Sequence, residues 1–154
     1  MNRRQKSLFM NFIVMVIITG AFAFLMINLR SVLNRSEAMR AMEELGKAAL
    51  QYRTRTGALP SEVYLRNMIK QIEGSVRLGH VRYRAMWIET GASPDTILAY
   101  ASNPAQSLFV PKGYVVLRLG GSVEYMRKND FEELLAKQQT EAEVKLLIDP
   151  KLKE

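Results

Sequence analysis

From Ser7 to Leu29 the chain carries no charged side chain, and Lys6 and Arg30 bound that run. Twenty-three residues of helix rise about 34 Å, against a bilayer hydrocarbon core of about 30 Å. A secretory leader has a shorter apolar region of about 7–15 residues and then a small-x-small cleavage site. The following "INLRSVLNRS" offers no such site. A soluble core helix this apolar on every side would need a larger domain around it. The run therefore reads as a retained transmembrane helix over 7–29. Its anchor residues include Ser7, Leu8, Phe9, Asn11, Phe12, Gly20 and Leu29, and residues 1–6 form a basic flank. Thr19 and Ala23 are small residues four apart, a pattern that favours helix association.

Charge places the chain further. The formal net charge of +7 is uneven: residues 1–60 carry a balance of +6 and residues 61–154 only +1. Basic residues clustered on and after an apolar helix suit anionic head groups. A nucleic-acid footprint would spread over the folded domain, so no nucleic acid is expected. Arg3, Arg4 and Lys6 precede the run, and Arg30, Arg35, Arg40 and Lys47 follow it. These counts do not fix the orientation. Long C-terminal domains cross largely regardless of charge, so the expectation is an inner-membrane, single-pass protein. Its N-terminus would be cytoplasmic and its C-terminal domain on the outer side.

Helical periodicity continues past the apolar run. Val32, Leu33, Met39, Met42, Leu45, Ala49 and Tyr52 approximate one stripe, and no proline occurs before Pro60. One helix from about Ser7 to Thr54 is predicted, its second half amphipathic and packed on a sheet. "TGALPSE" ends it through Gly57 and Pro60. Ser61 caps a short second helix with Leu65, Met68, Ile69 and Ile72 on one face, and Gly74 closes it. From Ser75 the period changes to two: "VRLGHVRYRAMWIE" alternates loosely, and "DTILAYAS", "KGYVVLRLG" and "SVEYM" are β-rich. Gly120-Gly121 reads as a two-residue hairpin turn with positive φ. In "NDFEE", Asn129 and Glu132 form a capping-box variant opening a last helix. Phe131, Leu134, Leu135 and Val144 give that helix its apolar face, and Asp149-Pro150 stops it. The expected class is α+β: a long N-terminal helix on a small antiparallel sheet of about four strands, with a C-terminal helix. The expected units are a domain at 30–139 and a helical extension and tail at 140–154.

Candidate chemistry is sparse. There is no cysteine and His80 is the one histidine, which leaves no thiolate or multi-histidine metal set. Gly120-Gly121 precedes a strand and lacks a phosphate-loop Lys-Ser/Thr. Glu132 and Glu133 are neighbours on a helix and point apart, which suits a first turn better than an acid–base pair. Neither catalysis nor a cofactor is expected. Arg77, Arg82, Arg84 and Trp87 form a candidate binding surface, weighed against a solvated sheet face opposite a buried one.

The order of these pieces resembles type IV pilins and type II secretion pseudopilins. The membrane helix extends into an amphipathic half and then "ALQYRTRTGALPSE". "ILAYAS" at 97–102 and "VLRLGGSVEYM" at 116–126 are similar to the "iLAYe" strand and "vLFxDGHVEf" hairpin of planctomycetal and verrucomicrobial pilin-like proteins. The matching hairpin residues are Leu117, Gly121, Val123, Glu124 and Tyr125, with Gly120 and Ser122 where those relatives carry Asp and His. "QKSLFMNFIVM" lacks both the Gly that precedes the pilin cleavage point and the Glu five residues beyond it. The resemblance implies a structural or accessory part of a secretion or pilus-like assembly. Its partners would be the bilayer, other envelope or secretion-machinery proteins, and other pilin-like subunits. A membrane-anchored module binding an envelope polymer or protein through the Arg-rich strand and loops 89–112 is the alternative.

Overall fold

The computed structural model describes residues 3–102 and 113–148. Helix α1 runs unbroken over Arg3–Thr56, about 80 Å at 1.5 Å per residue. No proline interrupts it, and the Thr19, Thr54 and Thr56 hydroxyls donate to carbonyls four residues back. Its last turn carries Arg53 and Arg55, which suit the negative end of the helix dipole. The Gly57 N–H closes it on the Arg53 carbonyl at 2.8 Å. Helix α2, Glu62–Ile69, is capped by Ser61 as expected, its Oγ accepting from the Tyr64 N–H. The Tyr52 and Tyr64 rings, 4.7 Å apart, fill the corner between the helices.

Strands β1 (Val81–Tyr83), β2 (Ile97–Ser102), β3 (Gly113–Arg118) and β4 (Val123–Arg127) form one antiparallel meander in the order β1-β2-β3-β4. Helices α3 (Lys128–Gln138) and α4 (Glu141–Ile148) follow. The α+β class and the long helix on a four-stranded sheet stand as the sequence predicts, and the layout is consistent with a pilin-like fold.

Both sheet faces are covered. On one, Ala99, Ala101, Val115 and Leu117 pack with Ala38, Ala41, Met42, Leu45 and Ala49 of α1. Small residues bring helix and sheet together here: a Cβ on Gly46 would lie 2.7 Å from Leu117 Cδ1. On the other face Ile97, Tyr100 and Val116 pack with Phe131 and Leu135 of α3. Phe131 stacks on Tyr114 at 4.1 Å and leans on Tyr100 at 4.9 Å.

Several local expectations change. The alternating stretch after Ser75 keeps only three residues as strand, between 3-10 turns at Ser75–Leu78 and Ala85–Trp87. Gly79 takes φ +61°, a left-handed value that breaks extended pairing there. Asn129 is not the cap of α3: β4 runs directly into the helix, and Arg127 stands at the cap position. Val144 lies on α4 rather than on the α3 face and is exposed. Val32 and Leu33 are also exposed, so the packed part of α1 begins at Ala38. The Asp149-Pro150 stop, the "KLKE" tail and loop residues 103–112 lie outside the described residues.

Tyr83 links β1 to the α1–α2 link by donating to the Pro60 carbonyl at 2.9 Å. Burial pushes its phenol above the ordinary value, because a phenolate there would lose solvation. Tyr100 is raised too, chiefly by burial. A raised folded-state pKa adds stability that is complete below the unfolded value of about 10 and is lost as pH climbs above it. Denaturant midpoints measured from pH 9 to 11.5 should therefore fall above pH 10. Tyr83→Phe should flatten that fall, leaving the part due to Tyr100.

Candidate functional site

The residues expected to form the anchor lie on the first half of α1. Leu8, Phe9, Phe12 and Leu29 are all more than half exposed; Ser7 and Asn11 are exposed as well. A Cβ on Gly20 would meet nothing within 4 Å. Among the described residues α1 is the one helix long and apolar enough to cross a membrane, and none of its most apolar 18-residue window is buried by the rest of the chain. Thr19 spends its hydroxyl on the Met15 carbonyl, so it presents chiefly its methyl group outward.

The hairpin turns out to be a clamp on α1. Leu117 is fully buried beside Gly46. Its turn is longer than a two-residue one: the Arg118 carbonyl accepts from the Gly121 N–H and the Arg118 N–H donates to Ser122. Only Gly121 has positive φ, at +90°, and a Cβ there would sit 2.5 Å from Leu50 Cδ1. Gly121 thus meets a left-handed turn and a close helix contact at once. Gly120 has no positive φ and donates its N–H to the Pro94 carbonyl at 2.8 Å. Val123 packs against the core. Glu124 pairs with Arg118, whose Nη1 also donates to the Asp95 carbonyl at 3.0 Å. The Tyr125 ring lies under the Arg35 guanidinium at 3.9 Å. The Glu124–Arg118 pair lies within the hairpin, and the other contacts fix the sheet to its neighbours.

The arginine set does not form one surface. Arg77 pairs with Glu37 of α1 at 3.0 Å. Arg82 is half-buried opposite Tyr100, and Trp87 is half-buried in a 3-10 turn. Arg84 is withdrawn from solvent altogether, at 2% exposure. Its Nε and Nη2 donate to the two carboxylate oxygens of Glu143 at 2.7 and 2.9 Å. Nη1 donates to the Ile97 carbonyl and Nη2 to the Gln138 carbonyl, at 3.0 and 2.9 Å. Gln138 returns an acceptor to the Ile97 N–H at 2.8 Å. Arg84 therefore leaves the candidate binding surface: α3 and α4 cover the sheet face that strand alternation had assigned to water. Helix α4 thus meets the domain through Glu143.

Glu143, Gln138 and Asp95 were not singled out from sequence. Glu143 sits in "EAEVKLLI", where it resembles any acidic residue of a first helical turn. An open groove of about 540 Å³ lies between the α1–α2 link and the 85–91 segment, lined by Arg53, Leu59, Tyr83, Met86 and Ile88 among others. No cluster of three or more metal-ligating side chains occurs among the described residues. Comparisons with protein-family models, curated proteins and solved structures return no match to this chain.

Proposed function

We propose that the chain is a single-pass, membrane-anchored, pilin-like protein. In this reading it is a non-enzymatic structural or accessory component of a secretion or pilus-like assembly. One observation supports the reading most: α1 is divided sharply in two. From Leu8 to Leu33 its large apolar side chains are exposed, whereas from Ala38 to Ala49 its apolar face is buried under the sheet. An exposed apolar surface of that length is stable in lipid or against other apolar helices, not in water. The covered half holds a rigid domain at a fixed position on the same helix. Such a chain delivers a docking surface at the membrane, and its partners would be envelope or secretion-machinery proteins or other pilin-like subunits. The polymer-binding alternative loses support, because Arg84 faces inward and Arg77 is paired with Glu37.

The chain has no native cysteine, so single thiols report topology cleanly. With Asn2→Cys and Ala142→Cys made separately, an impermeant thiol reagent on intact spheroplasts should label only the second. Labelling of only the first would overturn the orientation. The mass of the mature protein should retain residues 1–29; their loss would identify a cleaved leader. Purification in mild detergent should recover secretion-machinery subunits, and recovery of the chain alone would count against an assembly role.

A further inference from the structure

The arrangement around Arg84 has two parts of different character. The domain supplies one part: the Ile97 carbonyl of β2 and the Gln138 carbonyl at the end of α3 hold the guanidinium in place. These contacts leave the Nε–Nη2 edge, a two-donor fork matched to a carboxylate, facing α4. Helix α4 supplies the other part, and it is held differently from its neighbours. Over residues 141–145 Glu143 is the one buried side chain; Glu141, Ala142, Val144 and Lys145 are exposed. The helix begins after a two-residue link, Gln139-Thr140. It is capped by its own Thr140, whose Oγ1 accepts from the Glu143 N–H at 3.3 Å and whose carbonyl accepts from the Val144 N–H at 3.1 Å. Helix α3, by contrast, is seated by Phe131 and Leu135 in an apolar cluster.

A buried ion pair gains little net free energy over its separated, hydrated ions, because desolvation offsets the attraction. Among its described side chains α4 is seated by such a pair alone, and an element held in this way opens without unfolding what it rests on. We propose that Arg84 forms a carboxylate-recognition site and that α4 is a releasable latch filling it in cis through Glu143. When α4 lifts, both ions hydrate, and the fork becomes available to the carboxylate of an acidic segment. Tyr100, which feels the charges of Arg82, Glu143 and Arg84, lies in the same region. Trp87 is the chain's one tryptophan, and its backbone N–H donates to the Arg84 carbonyl at 2.8 Å, so its emission reports on the segment that carries the site. The inference stands apart from the membrane reading, since it concerns only the folded domain.

Hydrogen exchange on the full chain in detergent micelles tests the latch. Wild-type amides of α4 should exchange at least tenfold faster than those of β3. Glu143→Gln should speed α4 by a further tenfold or more and leave β2 and β3 unchanged. The double variant Arg84→Met/Glu143→Leu replaces the pair by apolar side chains and should return α4 protection to the wild-type level or above. A synthetic peptide of residues 140–154, in excess over the Glu143→Gln protein, should shift Trp87 emission; the peptide carrying E143Q should not. A common exchange rate for α4 and β3 in the wild type overturns the latch. So does a Glu143→Gln effect on β2 and β3 as large as on α4, including unfolding of the whole domain. Equal emission shifts from both peptides, or none from either, overturn carboxylate recognition.

Discussion

Val14→Asp combined with Ile18→Asp should remove the chain from the membrane fraction. The two positions lie one helical turn apart near the middle of the uncharged run, so both carboxylates would fall on one side at the centre of the bilayer. Each Asp at a helix centre costs about 2.5–3.5 kcal/mol of insertion free energy, and Asp is too short to reach the head groups. A pair therefore opposes insertion by roughly 5–7 kcal/mol, enough to reverse the preference of a single apolar span. Both side chains are exposed on α1 and remote from the sheet, so the folded domain should be unaffected. Alkaline carbonate extraction reads the outcome: wild type in the pellet, the double variant in the supernatant. A double variant that stays in the pellet as firmly as wild type would mean that a different feature holds the chain there. Val14→Leu with Ile18→Leu is the matching control and should behave as wild type.

Phe131→Ala should cost about 3–5 kcal/mol of domain stability. Phe131 is 2% exposed and joins α3 to the outer sheet face through Tyr114 and Tyr100. Truncation leaves a ring-sized cavity between elements that cannot easily close it. The two tyrosine hydroxyls resist deeper burial, and β2 and β3 are fixed by their ladder. Domains of this size have total stabilities of about 5–15 kcal/mol, so the loss is a large fraction. Chemical denaturation in micelles should show the midpoint falling with the slope nearly unchanged. Leu134→Ala on the same helix is a useful contrast: Leu134 is only partly buried beside this cluster and should cost clearly less. A Phe131→Ala effect below 1 kcal/mol would mean that α3 contributes little to the fold.

The two variants act on separate parts of the chain, and their effects should add. Val14 and Ile18 lie more than a dozen residues before the first buried residue of α1, Ala38, and share no contact with Phe131. The first should change where the chain is found and the second how well its domain holds together. If Phe131→Ala alone emptied the membrane fraction, the apolar run would not be a sufficient anchor.

Local chemistry made much of the architecture legible in the sequence. An uncharged run longer than a bilayer is thick, without proline, is helical in lipid, because its backbone groups can pair only within the helix there. Gly57 and Pro60 stop that helix, and Ser61 restarts the next with its own oxygen. The β-rich runs at 97–102 and 113–118 are strands, and Gly121 turns the chain between β3 and β4. These outcomes depend on residues within a few positions of one another.

The tertiary structure decided which faces are covered. Arg84 and Arg82 alternate with Val81 and Tyr83, so β1 has one polar-compatible side; alternation does not say whether water or another layer meets that side. The answer comes from Gln138 and Glu143, 54 and 59 residues later. The nearly continuous apolar runs of β2 and β3 did carry a trace of the second layer, since strands buried on both faces lose their alternation. The close approach of α1 to the sheet was similarly hidden in Ala38, Ala41, Gly46 and Ala49, whose small size matters only opposite Leu117 and its neighbours. Helix, strand and turn follow from covalent geometry and nearest neighbours. Burial of a charge follows from a partner brought near by the rest of the fold, and no short stretch of sequence contains that partner.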